Sequence, residues 1–355
     1  MRTRATRVAV ALAATAVLVA HASSALAAVG DITTFTDPGG NVSQPEDITL
    51  GPDGALWFTN FANGRIGRIT PSGDIATFTD PAGNVDLPDG ITSGPDGALW
   101  FTSSNNNRIG RVTTAGAITT FTDPANTVDH PFGITAGPDG NLWFTSGANF
   151  RIGRITPAGA ITTFTDPGGN LIRPFGITAG PDGNVWFTDF RSNVVGRITP
   201  AGVITTFADP AGNLDGLGEI ALGSDGALWF TSTNTNRIGR ITTAGDITTF
   251  ADPANEVDAP LGITAGPDGN LWFTSMNNAR IGRITPAGDI TTFADPAGNV
   301  AIPRGITSGP GPDVWFASTN SDRIGRIATV GPEPAPAPPP APPAQPVAAT
   351  PRFTG

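Results

Sequence analysis

The sequence contains no cysteine, no tyrosine and no lysine, and its two histidines are His21 and His130. Without cysteine there is no disulfide framework, no thiol nucleophile and no thiolate-held metal or iron–sulfur cluster. Without lysine there is no Schiff base, and so no pyridoxal chemistry. Two imidazoles are too few for a multi-histidine zinc or iron site. All 20 basic residues are arginine, set against 30 Asp and Glu, for a net charge of −10. That balance argues against a nucleic-acid partner, because phosphate binding needs a basic face. At 355 residues the chain is long enough to bury a core without disulfides.

The first segment reads as an export signal. Arg2, Arg4 and Arg7 precede an apolar run over residues 8–20, and Ala25-Leu26-Ala27 supplies a small-x-small cleavage site. The run is shorter than the ~20 residues a membrane helix needs. Cleavage after Ala27 removes His21 and three arginines, which takes the net charge to −13 and leaves His130 as the one imidazole. The expected location is outside the cell or at its envelope, with no membrane span after cleavage and a monomeric state.

The body is one unit repeated. Tryptophan falls at positions 57, 100, 143, 186, 229, 272 and 315, a constant step of 43 residues. Ile-Thr-Thr-Phe segments keep the same step, with Ile75-Ala76-Thr77-Phe78 in the second place, as does Arg-Ile-Gly-Arg, which the fourth copy changes to Val194-Val195-Gly196-Arg197. A period near 43 fits a four-stranded propeller blade or a helical repeat. Short Ile/Val/Thr/Phe/Trp runs between Gly, Pro, Asp and Asn clusters, with no helical periodicity, favour strands. In the second unit they predict strands over residues 90–93, 99–102, 108–113 and 118–121, with a tight turn at Gly94-Pro95-Asp96-Gly97. The fold class is therefore all-β, a seven-bladed β-propeller over residues 28–330. The first Ile-Thr-Thr-Phe segment precedes the first Trp, and no such segment follows the last Arg-Ile-Gly-Arg. Ile32–Phe35 is thus expected to pair with residues 323–328 and complete blade seven, removing an open edge. The recurring Trp, Phe and Arg read as structural, with the Arg paired to turn aspartates such as Asp96. Residues 331–351 hold 10 prolines among alanines, which predicts an extended, unpacked tail over 331–355. Alanine- and proline-rich, lysine-free usage is associated with bacteria of high GC content.

The unit Gly-Ile-Thr-x-Gly-Pro-Asp-Gly-x-Leu-Trp-Phe-Thr, followed by Arg-Ile-Gly-Arg-Ile-Thr-Pro-x-Gly-x-Ile-Thr-Thr-Phe, resembles the virginiamycin B lyase (streptogramin lyase) family and, more loosely, NHL-type propellers. The resemblance covers roughly residues 31–330. It implies a propeller and a Mg²⁺-dependent carbon–oxygen lyase that opens a cyclic depsipeptide antibiotic by elimination. It also implies catalytic histidines directly after the proline that opens an inner strand. Here those positions are Glu46, Asp89, Phe132, Phe175, Gly218, Leu261 and Arg304. The family's glutamate after Trp-Phe-Thr, one copy of which helps hold Mg²⁺, is replaced by Asn60, Ser103, Ser146, Asp189, Ser232, Ser275 and Ser318. A general base and carboxylates for a hard cation are largely missing from the expected places.

Near-identical blades make a symmetric surface, so a specific site is sought where copies differ. The position after the inner-strand proline is expected at the channel mouth. It would place Glu46, Asp89 and Arg304 on one side and Phe132, Phe175 and Leu261 on the other, which suits an amphipathic ligand. The blade-four sequence Asp189-Phe190-Arg191-Ser192-Asn193 is a second departure from the repeat and is expected to flank the same mouth. His130 and Asp189 are the candidates for catalysis, and Asp189 for a metal. Asp-Pro-x-Gly/Asn-Asn loops carry clustered oxygens, but Asp at a turn start usually caps its own backbone. Three functions follow. The leading one is a secreted, non-catalytic propeller that binds a small amphipathic ligand, an extracellular protein or an envelope component. The others are a Mg²⁺-dependent lyase with a displaced site, and a structural envelope protein with the tail as spacer.

Overall fold

Blade two illustrates how the repeat folds. Its strands are Pro88–Ser93, Leu99–Ser103, Arg108–Val112 and Ile118–Thr122, antiparallel in that order. A computed structural model describes residues 27–330. The predicted tail, and the export signal apart from Ala27, lie outside the described residues. All five residues of Leu99–Ser103 are buried, because both faces of this strand meet protein. In the outer strand only Thr119 and Thr122 are exposed and the other residues are half-buried, as an edge strand with one wet face requires. The tight turn over residues 94–97 is present, with Gly97 at φ 74°.

Seven such sheets occur, and the seventh contains Ile32–Phe35 as its outer strand. Ile32 faces Ile327 and Phe35 faces Ile324, the closure expected from the sequence. Among the described residues no helix is long and apolar enough to cross a membrane.

The core lies between blades, in seven similar clusters. Trp100 and Ile109 of blade two, for example, pack with Val128, Ile134, Leu142 and Phe144 of blade three. Trp315 joins Ile48, Leu56 and Phe58 in the cluster that closes the ring. Each Trp stacks on the outer-strand Phe of its own blade, with centroids 5.3–5.5 Å apart. The second aromatic needs a glycine. Phe101 lies opposite Gly110 of Arg-Ile-Gly-Arg, and a Cβ there would enter the ring. The same seat recurs from Gly67 under Phe58 to Gly325 under Phe316.

Polar groups complete the blade. In six blades the Trp indole N–H donates to the turn aspartate at 3.0–3.1 Å. The last arginine of Arg-Ile-Gly-Arg reaches that aspartate at 2.6–2.7 Å in blades one, two and five, including the expected Arg111–Asp96 pair. In blades three and four an asparagine two residues on bonds the aspartate instead, and the arginine stands off at 3.7–3.8 Å. The returning-loop aspartates cap their own loops, as Asp80 does by accepting from the Ala82 and Asn84 N–H groups.

The inner strand departs from the sequence reading in one way that matters. It begins at the proline, two residues earlier than residue 90, and carries a β-bulge. Two residues, Asp89 and Gly90, oppose the single Thr102, which aims both toward the axis. The Thr102 hydroxyl accepts from Gly90 N–H at 3.0 Å and donates to the Phe132 carbonyl of the next blade at 2.6 Å. Thr59, Thr145, Thr188, Thr231 and Thr274 make the same inter-blade bond at 2.5–2.8 Å. Blade seven has Ala317 there, and Thr319 bonds the Pro45 carbonyl at 2.7 Å instead.

Deleting residues 28–36 removes the closing strand and the Phe35–Trp315 stack. Loss of a buried aromatic contact alone costs about 3–5 kcal/mol, so the melting temperature should fall by roughly 10 °C or more. An unchanged melting temperature would refute closure by this strand.

Candidate functional site

Five of the seven residues that follow the first residue of an inner strand converge, without Phe132 and Gly218. Glu46, Asp89, Phe175, Leu261 and Arg304 line one axial space, joined by Asp47 and Glu219. The space is only about 20 Å³, enough for about one water molecule. The axis is narrow because inner strands approach closely. A Cβ at Gly90 would meet the Phe132 carbonyl, and one at Gly262 would meet the Arg304 carbonyl. The second bulge position is therefore glycine in five blades, and only Asp47 and Glu219 break the rule. Each faces a neighbouring glycine that makes room for it: Gly305 beside Asp47, and Gly176 beside Glu219. Reading only the first position after proline missed both acids. The signal was present, as two carboxylates in a column otherwise of glycine.

Four carboxylates and one arginine share this axis. Arg304 hydrogen-bonds the Glu46 carboxylate. The Asp47 carboxylate accepts from Ile48 N–H at 2.8 Å and from Ile91 N–H of blade two at 2.9 Å. Burial nevertheless pushes Asp47 up to about 7, and the Glu46 charge adds to it. Burial, then the Glu46 and Asp47 charges, hold Asp89 well above the usual carboxylate range, although Arg304 and Arg173 oppose this. Glu219 is also well above it, first from burial and then from Asp47, Asp89 and Glu46. Burial raises Glu46 too, with Arg304 pulling it back.

These raised groups bind protons more tightly in the folded chain. Their contribution favours folding at acidic pH and is lost as pH climbs from about 4 through about 7. The turn and loop aspartates held low, such as Asp96 and Asp123, act oppositely and lose their contribution only below the usual carboxylate range. Glu219→Gln removes the buried charge, so it should raise the melting temperature by a few degrees near pH 8 and hardly change it near pH 4.5. Equal shifts at both pH values would contradict the axial assignment.

A larger concavity lies off the axis, between blades three and four. This cleft is about 330 Å³ and is lined by His130, Phe132, Phe150, Ile172, Arg173 and Arg191, with Gly147 and Ala148 also at its wall. Phe132 adjoins the axis through Phe175, at 5.4 Å between centroids, and Phe175 in turn meets Phe190 at 6.1 Å. The Arg173 guanidinium carbon sits 5.1 Å from the Phe132 centroid and 5.4 Å from that of Phe190. The structure thus brings His130, Phe132 and Arg191 together, and adds Arg173, which sequence reasoning overlooked.

Asp189, the catalytic and metal candidate, points inward and is fully buried. One carboxylate oxygen accepts from Ile172 and Arg173 N–H at 2.8 and 2.9 Å. The other accepts from Arg191 and Ser192 N–H at 3.0 and 2.8 Å. Serine does a smaller version of this task in other blades, as Ser103 accepts from Asp86 N–H at 2.8 Å. His130 is half exposed, with Nδ1 3.3 Å from Asp129. Its φ of 46° matches Gln44, Leu87, Ala259 and Ile302, the residues before the inner-strand proline in other blades. Its backbone is thus a feature of the repeat. Among the described residues no three His, Cys, Asp or Glu side chains converge to hold a metal ion.

Comparison with known proteins agrees with this architecture. The family model described as "Virginiamycin B lyase family" matches residues 16–218 and 174–353. No curated protein sequence matches the chain. Among solved structures, a catalytically inactive histidine-to-alanine virginiamycin B lyase from Staphylococcus aureus with quinupristin is 36% identical. That match covers 84% of this chain and 99% of the other, with a TM-score of 0.76. A streptogramin B lyase structure is 34% identical over 83% of this chain and 96% of its own, also with a TM-score of 0.76. Hydrazine synthase from Kuenenia stuttgartiensis, at 15% identity and a TM-score of 0.68 over 81% of this chain and 96% of its own, shares the fold alone. This chain belongs to the virginiamycin B lyase family.

Proposed function

We propose that this chain is an exported, non-catalytic member of its family that binds a small amphipathic ligand. The observation that carries the reading is the absence of histidine from the second position of all seven inner strands. The Staphylococcus aureus relative is inactive as a histidine-to-alanine variant. Here His130 is the one histidine among the described residues, and it is a half-exposed loop residue beside Asp129. An elimination needs a base placed at the substrate proton, and no second imidazole can take that part.

The residues present also do not fit the Mg²⁺ that a lyase of this family would use. Both oxygens of Asp189 are spent on backbone N–H groups, and the remaining positions after Trp-Phe-Thr are serine or asparagine. A hard cation needs several oxygen ligands around one point. Binding is supported instead by the Phe132, Phe175 and Phe190 rings with Arg173 stacked among them, beside a cleft of ligand size. Export is supported by the order of charged, apolar and small residues over 1–27.

The test incubates purified protein with a cyclic streptogramin B and Mg²⁺ and follows ring opening by chromatography with fragmentation mass spectrometry. Elimination leaves the total mass unchanged, so fragmentation is needed. No linear product is expected at high protein concentration. A product that disappears with chelator would overturn the non-catalytic reading.

A further inference from the structure

We infer that the cleft between blades three and four binds an organic anion with a flat apolar body, of the aryl carboxylate class. The inference rests on the binding reading above and names its ligand chemistry.

Charge carries the first part. In a chain of net charge −10, eight of the arginines pair with carboxylates. Arg173 and Arg191 do neither this nor any side-chain hydrogen bonding among the described residues, and both line the same cleft. Arg173 is held between Phe132 and Phe190. Stacking occupies the faces of a guanidinium and leaves its N–H edge free, which is the edge that takes a carboxylate in two parallel bonds.

Shape carries the second part. Phe150 and Ile172 line this cleft and are 46% and 45% exposed, among the few large apolar side chains left in water. Together with Phe132 they offer flat apolar surface to a ring. Gly147 and Ala148 open the space, where blade two has Ser104 and Asn105 and blade five has Thr233 and Asn234. A Cβ at Gly147 would collide with the Phe132 ring.

Placement is the third part. Arg191 occurs where the other blades have Ala62, Asn105, Ala148, Asn234, Asn277 and Asn320, so the charge is peculiar to blade four. One buried carboxylate fixes the backbone under both arginines, since Asp189 accepts from the N–H groups of Arg173 and Arg191. Arg173 also escapes the left-handed φ found before the inner-strand proline in the other blades that carry one. Asp189 is thereby a positioning residue, and it sets two cations about one opening before any ligand arrives.

The test is isothermal titration of the purified protein with 2-naphthoate, 2-naphthamide and cyclohexanecarboxylate. Naphthoate is expected to bind below about 1 mM, and the amide and the non-aromatic acid about tenfold more weakly. Arg173→Gln and Arg191→Gln should each weaken naphthoate about tenfold, which is the loss expected for one charge-assisted contact. Arg191 is exposed, so Arg191→Gln should melt as the parent does; Arg173 is half-buried between two rings, so Arg173→Gln should melt within a few degrees of it. Asp189→Ser installs the residue of five other blades; it should fold and lose naphthoate affinity without either arginine being removed. No heat at about 1 mM, equal affinity for acid and amide, or arginine variants that bind unchanged would each overturn the inference. The two readings fail separately. Streptogramin ring opening with intact naphthoate binding would sink the non-catalytic reading and leave the cleft assignment. Absence of both would do the reverse.

Discussion

Each blade is organised by a phenylalanine ring laid on a glycine of the adjacent strand. Phe101 over Gly110 is one of seven copies, and no other residue leaves room for the ring. The seat lets Trp, Phe and Leu of neighbouring blades interlock into seven inter-blade clusters, because an interior packed this densely tolerates no extra methyl group. Closure of the ring follows from the same packing. The Trp of blade seven finds its partners in Ile48, Leu56 and Phe58 of blade one, while its stacking phenylalanine, Phe35, comes from the start of the propeller. The motif residues are therefore committed to the scaffold, and little in them is free to do chemistry.

Individuality is confined to places the packing does not control. The bulge at the start of each inner strand turns two consecutive residues toward the axis, the second a glycine in five blades, and the loop after the Trp strand shapes the rim. On the axis, Glu46, Asp47, Asp89 and Glu219 crowd around Arg304 in a space too small for a ligand. Burial and the neighbouring carboxylates raise Asp47, Asp89 and Glu219 above the usual carboxylate range, which makes the axis a stability element sensitive to pH. At the rim, exchange of serine for Asp189 lets one carboxylate clamp two loop segments, and Arg173 and Arg191 stand on those segments. Departures from the repeat at two different places thus give an acidic, closed axis and a cationic, open cleft.

Much of this was legible from spacing alone. The 43-residue step of tryptophan and the early Ile-Thr-Thr-Phe segment specified blade number and closure, since both are consequences of repeat arithmetic. Convergence of Glu46, Asp89, Phe175, Leu261 and Arg304 was also legible, because equivalent positions of a ring must meet at its centre. The bulge was not, as the extra residue shows only in pairing, and Asp47 and Glu219 were overlooked with it. The small size of the axial space depends on how closely the backbones approach, which no single copy reveals. Asp189 looked like chemistry because its carboxylate is unusual in its column. Only the fold shows both oxygens turned to backbone N–H groups, and only the fold brings distant Arg173 beside Arg191.

One replacement tests most directly whether the rim loop carries individuality on a shared scaffold. Residues 189–193 of blade four are exchanged for the Ser232-Thr233-Asn234-Thr235-Asn236 sequence of blade five, and melting is recorded with and without 2-naphthoate. A propeller that melts within a few degrees of the parent, and is no longer stabilised by naphthoate, is the predicted result. Retained stabilisation by naphthoate in the exchanged protein would contradict it, and so would collapse of the fold.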